Sequence, residues 1–292
     1  MTSQRTSPPA RTALAVSGAS LTFLRRPVFS DVSFTAPPES VVAVVGPAGS
    51  GKTSLLLAIA ARMRLSAGEV HVVGRVIGAQ AGPGAARRAV RSRVAVSRIA
   101  DLVGLDPQLT VHESVRDAAD WIGVPHERAV AHVRAWADRL GLVLPDRTLV
   151  GKLPALEATA LHLVLAVLGD PVVVVHDDLP HQLQLPQRAR AWEIVREIAG
   201  SGVVVVASTL DVGPEEADVV VALGDDDVAG AAHGRHAVPE EPAAAEEPAA
   251  AEEPAAAEPA AGPSGETEPP DGFVDPPDRS VDPSDDTEEE DR

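Results

Sequence analysis

The sequence contains no cysteine, and this absence excludes a disulfide framework, a thiolate metal site and a cysteine nucleophile. It also lacks any stretch approaching the ~18 to 20 consecutive apolar residues that a membrane-spanning helix requires. The apolar run near the N-terminus is interrupted by Ser17, Gly18 and Ser20, so we interpret it as a first strand rather than as a signal peptide. These absences fit a reducing compartment, and we expect a cytoplasmic location.

Lysine is scarce as well: the 25 basic residues comprise only two lysines, Lys52 and Lys152, and 23 arginines. The 43 acidic residues give a formal net charge of -18 at pH 7, but the excess is concentrated in residues 237–292, which hold 19 acidic and two basic side chains. The other 236 residues carry 24 acidic and 23 basic side chains and are nearly neutral. Because no basic surface stands out, we expect no nucleic-acid partner.

The C-terminal segment has the composition of a solvated tail. Three copies of Glu-Glu-Pro-Ala-Ala-Ala occupy residues 240–257, and Phe273 is the only aromatic residue in the segment. A proline every six residues prevents a continuous helix, and paired glutamates repel one another. We therefore predict disorder over residues 236–292, and also over residues 1–12. The alternative for the tail is an acidic docking segment for a basic partner.

The body of the chain alternates short valine-rich runs with helical patterns. Runs of β-branched residues occur at 41–45, 94–96, 172–175, 203–206 and 219–221, and helical patterns at 53–63, 126–140, 156–168 and 188–199. Near-continuous valine is typical of strands buried on both faces, as in parallel sheets covered by helices. We predict an α/β fold for residues 13–235, with a helical insertion beginning at about residue 101.

A phosphate-binding loop is the strongest chemical signal. The segment Gly-Pro-Ala-Gly-Ser-Gly-Lys-Thr satisfies the pattern G-x-x-x-x-G-K-[ST], follows a valine strand and precedes an apolar helix. Lys52 would neutralise the β- and γ-phosphates of a nucleotide, and the hydroxyl of Thr53 would bind Mg²⁺. One of only two lysines in the chain stands at the position that the motif requires. The predicted nucleotide-binding residues here are Gly46, Pro47, Ala48, Gly49, Ser50, Gly51, Lys52, Thr53 and Ser54.

Two carboxylates at the end of a second buried strand support this prediction. Residues 172–175 are all valine, and His176, Asp177 and Asp178 follow them. A carboxylate at such a strand end can hold the Mg²⁺ of a bound nucleotide, and its neighbour can act on an attacking water. We expect His176 to be buried in the strand rather than catalytic.

Together these motifs resemble the ATP-binding cassette (ABC) ATPases, the nucleotide-binding subunits of ABC transporters. The resemblance covers residues 13–228 and includes strand-like segments at 21–34 and 68–73 and the Leu-Thr-Val-His-Glu-Ser-Val segment at 109–115. It implies a P-loop NTPase core of ABC type with a helical subdomain at about 101–165. It also implies that Asp177 binds Mg²⁺ and that Phe23 stacks on adenine, although Phe23 could instead be a core residue.

The chain departs from the ABC pattern where the family carries its hydrolytic residues. Asp101 stands where the family usually has a glutamine that contacts Mg²⁺ and water, and Asp178 stands at the catalytic glutamate. Thr209 replaces the switch histidine, and Gln184 replaces an aspartate of the D-loop. The signature Leu-Ser-Gly-Gly-Gln falls on Leu-Pro-Ala-Leu-Glu at 153–157, which lacks the serine and both glycines. Asp178 and Thr209 are thus the predicted catalytic positions, both degenerate, and Asp101 is a predicted Mg²⁺ ligand.

The resemblance implies a protein that binds ATP and Mg²⁺, hydrolyses ATP slowly, and powers or regulates a membrane transporter whose spanning subunit is a separate chain. It implies a homodimer or a heterodimer with another cassette, placed at the cytoplasmic face of the membrane. The alternative is a non-hydrolysing ATP-binding regulatory or scaffolding module with an acidic docking tail. A P-loop enzyme of another kind, such as a small-molecule kinase, is disfavoured because the order and spacing of the motifs follow the ABC pattern.

Overall fold

The computed structural model describes residues 12–79, 84–100, 102–213 and 216–224. The segments for which disorder is predicted, 1–12 and 236–292, lie outside these ranges except for Thr12. The predicted metal ligand Asp101 also lies outside the described residues.

The described ranges hold strands and helices in alternation. The strands are β1 (Leu14–Phe23), β2 (Arg26–Ala36), β3 (Val41–Val45), β4 (Ala67–Val72), β5 (Arg75–Gly78), β6 (Val94–Arg98), β7 (Val173–His176), β8 (Val204–Thr209) and β9 (Val219–Ala222). The helices are α1 (Lys52–Ile59), α2 (Ala85–Arg91), α3 (Val111–Ile122), α4 (His126–Leu140), α5 (Ala155–Ala166) and α6 (Leu185–Ala199).

The central layer is a parallel sheet with the strand order β6-β7-β8-β3-β9. Its valines alternate between two hydrophobic cores. Val173 and Val175 of β7 face the core that contains α1, whereas Val174 faces the core that contains α5 and α6. All three are fully buried. This arrangement confirms the predicted α/β fold and explains the unbroken valine runs, because both faces of these strands are covered.

A second sheet is antiparallel and has the order β2-β1-β4-β5. Its buried side chains, among them Leu14, Val32 and Val70, join the core that contains α1. The first strands and the strand at 68–73 are expected from the sequence, but their assembly into a separate sheet is a finding of the structure. This sheet places the start of β2 against the phosphate loop.

Helices α3, α4 and α5 fall between residues 111 and 166, in the part of the chain that lacks strong strand patterns. Helix α3 begins with a capping box in which the hydroxyl of Thr110 accepts the N–H of Glu113 and the carboxylate of Glu113 accepts the N–H of Thr110. Helix α3 packs on α4, and α4 packs on α5; Val115, Val133 and Leu161 belong to the shared core. The N-terminal half of α5 lies beside the carboxyl ends of β6 and β7.

Candidate nucleotide-binding site

The phosphate loop leaves β3, the strand that lies between β8 and β9, and ends where α1 begins at Lys52. Two glycines permit close approaches that no other residue could make. A Cβ on Gly46 would lie 2.2 Å from the carbonyl oxygen of Leu223, and one on Gly51 would lie 2.8 Å from the carbonyl oxygen of Val28. Gly51 also has a φ of +94°, which favours glycine. The loop is therefore supported by β2 on one side and by the end of β9 on the other.

Lys52 lies at the first position of α1, where the helix dipole and the unpaired N–H groups favour an anion. Its ammonium group donates hydrogen bonds to the carbonyl oxygens of Gly46 (2.6 Å) and Pro47 (2.7 Å). The lysine charge is thus held over the phosphate loop by the loop's own backbone.

The loop contains a polar atom that fits a bound phosphate. The hydroxyl oxygen of Ser50 is buried and has no hydrogen-bond partner among the described residues. A buried hydroxyl without a partner is costly, and a ligand oxygen would relieve that cost. Together with Lys52 and the N-terminus of α1, this hydroxyl makes the loop suited to the phosphate chain of a nucleotide.

The carboxylate of Asp177 lies at the end of β7, is 3 % exposed and accepts one hydroxyl on each oxygen. The Thr53 hydroxyl donates to Oδ2 at 2.8 Å, and the Ser208 hydroxyl donates to Oδ1 at 2.5 Å. The residues from the two motifs predicted to hold Mg²⁺, Thr53 and Asp177, are therefore in direct contact. Ser208 was not predicted from the sequence.

The hydroxyl of Thr53 and the carboxylate of Asp177 are oxygen ligands, the type that Mg²⁺ uses. Among the residues that are described, no group of three or more histidine, cysteine or carboxylate side chains is arranged to hold a metal. Mg²⁺ usually binds through one or two protein groups together with water and substrate phosphates. Thr53 and Asp177 would supply those protein groups.

Asp178 has a left-handed backbone, with a φ of +54°. Its N–H donates to the hydroxyl oxygen of Ser208 at 2.8 Å. Its carboxylate Oδ2 lies 3.2 Å from Nδ1 of His181 in a half-exposed pair. The hydroxyl of Thr209, by contrast, is buried and donates to the carbonyl oxygen of Asp211 at 2.7 Å. The Asp178 carboxylate therefore faces His181, and the Thr209 hydroxyl is directed toward the backbone of Asp211.

His176 is 1 % exposed, as expected from its place in the strand, and its Nδ1 lies 3.0 Å from the Ser97 hydroxyl. It borders a cavity of about 670 Å³ between the ends of β6 and β7 and the N-terminal half of α5, which also touches His162 and Arg98. Burial lowers the pKa of His162, and it lowers that of His176 well below the usual value. In both cases burial disfavours the charged imidazolium form.

The sequence of the chain matches a family model described as ABC transporter over residues 29–179, slightly more than half of the chain. The chain belongs to the ABC transporter family. Within the described ranges, no helix combines the length and the apolar character needed to cross a membrane.

Several relatives carry names that refer to ATP binding and transport. The chain is 28% identical over 203 residues to the zinc import ATP-binding protein ZnuC of Cereibacter sphaeroides, a match that covers 68% of this chain and 74% of the relative. It is 31% identical over 219 residues to the Fe(3+) ions import ATP-binding protein FbpC of Streptomyces coelicolor, which covers 74% and 60% respectively. The chain therefore spans only part of the length of these relatives.

Solved structures have the same fold. CbiO1 from Clostridium perfringens, described as part of the ABC transporter complex cbiONQ, superposes with a TM-score of 0.62 at 15% identity, covering 73% of this chain and 84% of that chain. An ATP-binding subunit of an ABC transporter superposes with a TM-score of 0.58 at 21% identity, covering 73% of this chain and 86% of that chain. At these identities the superpositions support the ABC fold alone.

Two further positions can be compared with the ABC pattern. Phe23, at the end of β1, is 68% exposed, so it is not a core residue and its ring is accessible to a ligand. The segment at the signature position starts α5: Pro154 is the residue before the helix, and Glu157 lies in its first turn. A carboxylate in that turn would repel a phosphate at the helix N-terminus.

Proposed function

We propose that the chain binds ATP together with Mg²⁺ and serves as the nucleotide-binding subunit of a transporter whose membrane-spanning part is a separate chain. The contact between Thr53 and Asp177 carries this proposal, because it joins the two motifs that must act on one metal–nucleotide pair. The ABC family implies ATP binding, and Mg²⁺ would polarise the phosphates. The names of the relatives support the link to transport.

Different side chains of the site would contact different parts of ATP and Mg²⁺. Lys52 would neutralise phosphate charge, the hydroxyl of Ser50 would donate to a phosphate oxygen, and the ring of Phe23 would stack on the adenine. Thr53 and Asp177 would hold Mg²⁺, and Asp101 is a further candidate for that role. Asp178 would orient water beside them.

We also propose that hydrolysis is slow. Asp178 is one methylene shorter than a glutamate, and misplacement by about 1 Å costs roughly a hundredfold in rate. The Thr209 hydroxyl donates to the Asp211 carbonyl rather than to a group at the active site. Removing one transition-state donor costs about 10² to 10³ in rate, although such losses need not multiply.

The first turn of α5 indicates which kind of cassette the chain pairs with. In a pair of cassettes this turn would face the phosphates of the other subunit, and Glu157 would oppose them. A homodimer would contain two such faces, so a heterodimer with a complete cassette fits the chain better. We place such an assembly at the cytoplasmic face of a membrane.

Glu157 and Thr209 also favour a second function, a non-hydrolysing module that uses ATP as a ligand to regulate a partner. Turnover distinguishes the two functions. The isolated chain and the Asp178→Glu variant are assayed for ATP hydrolysis at saturating ATP and Mg²⁺. Increased turnover in the variant supports a slow enzyme limited by the length of Asp178. No turnover in either protein favours the regulatory module, and fast turnover in wild type contradicts impaired hydrolysis.

Because the chain has only two lysines, replacing each in turn gives a matched test of the proposed ATP binding. Lys52→Ala removes the charge from the phosphate loop, whereas Lys152→Ala removes the chain's other lysine, which is exposed. A hydrogen bond to a charged group contributes about 1.5–3 kcal/mol, so Lys52→Ala should weaken ATP binding roughly 10- to 150-fold. Lys152→Ala should bind like wild type. Calorimetric titration with ATP and Mg²⁺ measures the affinity of both variants. An unchanged affinity in Lys52→Ala would contradict the proposal that the phosphate loop binds ATP.

A further inference from the structure

We infer that Ser208 is a positioning residue, which orients the Asp177 carboxylate toward Mg²⁺ and at the same time holds the backbone of Asp178. The inference rests on the proposed function, since it assigns a role within the same ATP–Mg²⁺ site. Neither the phosphate-loop motif nor the acidic strand end includes this serine.

The register of the parallel sheet brings Ser208 to this place. His176 of β7 pairs with Ala207 of β8, so the residues that follow each of them, Asp177 and Ser208, lie side by side. Ser208 also pairs with Val44 of β3, the strand that leads into the phosphate loop. It is fully buried. Ser208 therefore lies between β3, which leads into the phosphate loop, and β7, which leads to Asp177 and Asp178.

The hydroxyl of Ser208 makes two hydrogen bonds of opposite direction. It donates its only proton to Oδ1 of Asp177 at 2.5 Å, and its oxygen accepts the N–H of Asp178 at 2.8 Å. The carbonyl oxygen of Ser208 accepts the N–H of Leu179 at 2.9 Å. Three consecutive residues after β7 are therefore held by this one serine.

These bonds fix the direction in which Asp177 presents its free lone pairs. A carboxylate offers about four acceptor positions on its two oxygens. Ser208 occupies one on Oδ1, and Thr53 occupies one on Oδ2. With one hydroxyl on each side, the plane of the carboxylate is set before a metal binds. Groups that orient a metal ligand in this way commonly change metal affinity 10- to 100-fold when they are removed.

The bond to Asp178 has a separate effect. Asp178 has a φ of +54°, a conformation that is unfavourable for a residue with a side chain. In this conformation its N–H donates to the Ser208 oxygen, and its carboxylate lies beside His181. Loss of the Ser208 hydroxyl would therefore disturb both carboxylates, although it touches the side chain of only one.

The neighbouring strand provides a matched control. Ser97 of β6 is likewise buried near the carboxyl end of a strand beside β7, but its hydroxyl contacts Nδ1 of His176 at 3.0 Å. His176 borders the cavity next to α5, on the opposite face of the sheet from α1. Ser97→Ala therefore removes a buried hydroxyl in a similar setting without touching Asp177 or Asp178.

The experiment uses the full chain and measures ATP binding by calorimetry at a series of free Mg²⁺ concentrations and in EDTA. We expect Ser208→Ala to weaken the apparent Mg²⁺ affinity about 10- to 100-fold while ATP binding in EDTA stays within about twofold. Ser208→Thr keeps the hydroxyl and should restore most of the affinity. Ser97→Ala should match wild type. Circular dichroism monitors folding, and Ser208→Cys, a weaker donor, should give an intermediate loss if the alanine variant does not fold.

The outcomes separate this inference from the proposed function. Wild-type Mg²⁺ dependence in Ser208→Ala, or in Ser208→Cys where that variant is the one that folds, would overturn the role of Ser208 while leaving ATP binding established. An equal loss in Ser97→Ala would overturn it too, because it would show a general effect of a buried hydroxyl. If wild type itself bound no ATP, the proposed function would fail and this inference with it.

Discussion

Gly51→Ala should destabilise the nucleotide-free chain more than Gly49→Ala, although both glycines lie in the phosphate loop with positive φ. The φ of Gly49 is +82°, and a Cβ built there meets nothing within 4 Å. The φ of Gly51 is +94°, and a Cβ there would lie 2.8 Å from the carbonyl oxygen of Val28 and 3.2 Å from the ring of Phe29. Comparing the two variants therefore distinguishes the cost of a left-handed backbone from the cost of a steric clash with β2.

The magnitudes follow from these distances. A left-handed conformation costs an alanine about 1–2 kcal/mol, and both variants incur this cost. Alanine also restricts the unfolded chain, but equally in the two variants, so this effect cancels in their comparison. Only Gly51→Ala must in addition displace the backbone of β2, and overpacking of this kind costs about 1–3 kcal/mol. Gly51→Ala should therefore lower the free energy of unfolding by about 1–3 kcal/mol more than Gly49→Ala does.

Urea unfolding without nucleotide, followed by circular dichroism, measures the two losses. The midpoint should fall in the order wild type, Gly49→Ala, Gly51→Ala, with similar slopes in all three. Equal midpoints for the two variants would refute the reasoning, because they would mean that β2 does not support the loop at Gly51. A change of slope would instead indicate a change in the unfolded state or in cooperativity.

Two further predictions concern stability away from the loop. Burial lowers the pKa of His162 below its ordinary value of 6.5, and its neutral Nε2 accepts the N–H of Leu105 at 3.1 Å. Because the unfolded chain then binds the proton more readily, this contribution to stability is present above pH 6.5 and is lost as the pH falls below it. The loss of stability between pH 7 and pH 5 should be smaller in His162→Gln, and an identical loss in urea midpoints would contradict this. Leu161→Ala, at a fully buried site in α5, should cost about 2–5 kcal/mol, whereas Trp121→Ala, at a side chain 90% exposed, should change unfolding by no more than about 0.5 kcal/mol. Similar unfolding free energies for these last two variants would contradict the core assignment.

The parts of the site that the sequence predicted are those with local signals. The phosphate loop is a contiguous motif between a strand and a helix, and the structure places Lys52 at the start of α1, as that pattern requires. The carboxylates at 177 and 178 directly follow a valine run. Burial of His176 was also expected, because it continues the same strand, and it is confirmed.

The parts that were missed depend on pairing between distant segments. Ser208 has no motif of its own and looks like one more small residue in a β-branched strand. Its role follows from the register that places β8 beside β7, and register between parallel strands cannot be derived from local pattern. The antiparallel sheet was missed for a similar reason: β1 joins β2 through several irregular registers and joins β4 across α1. The catalytic role of Thr209 and the metal role of Asp101 stay predictions.

The support of Gly46 by the carbonyl of Leu223 has a consequence for the protein during its synthesis. The ribosome makes the phosphate loop, residues 46–53, well before β8 and β9, the two strands that flank β3. At typical elongation rates, roughly ten seconds or more separate the two events. Through that interval β3 would have no partner strand on either edge, and the loop would lack the support of Leu223. The nascent chain would therefore pass through a stage that needs protection from aggregation and that ATP cannot stabilise, because the site is incomplete until β8 and β9 have been made.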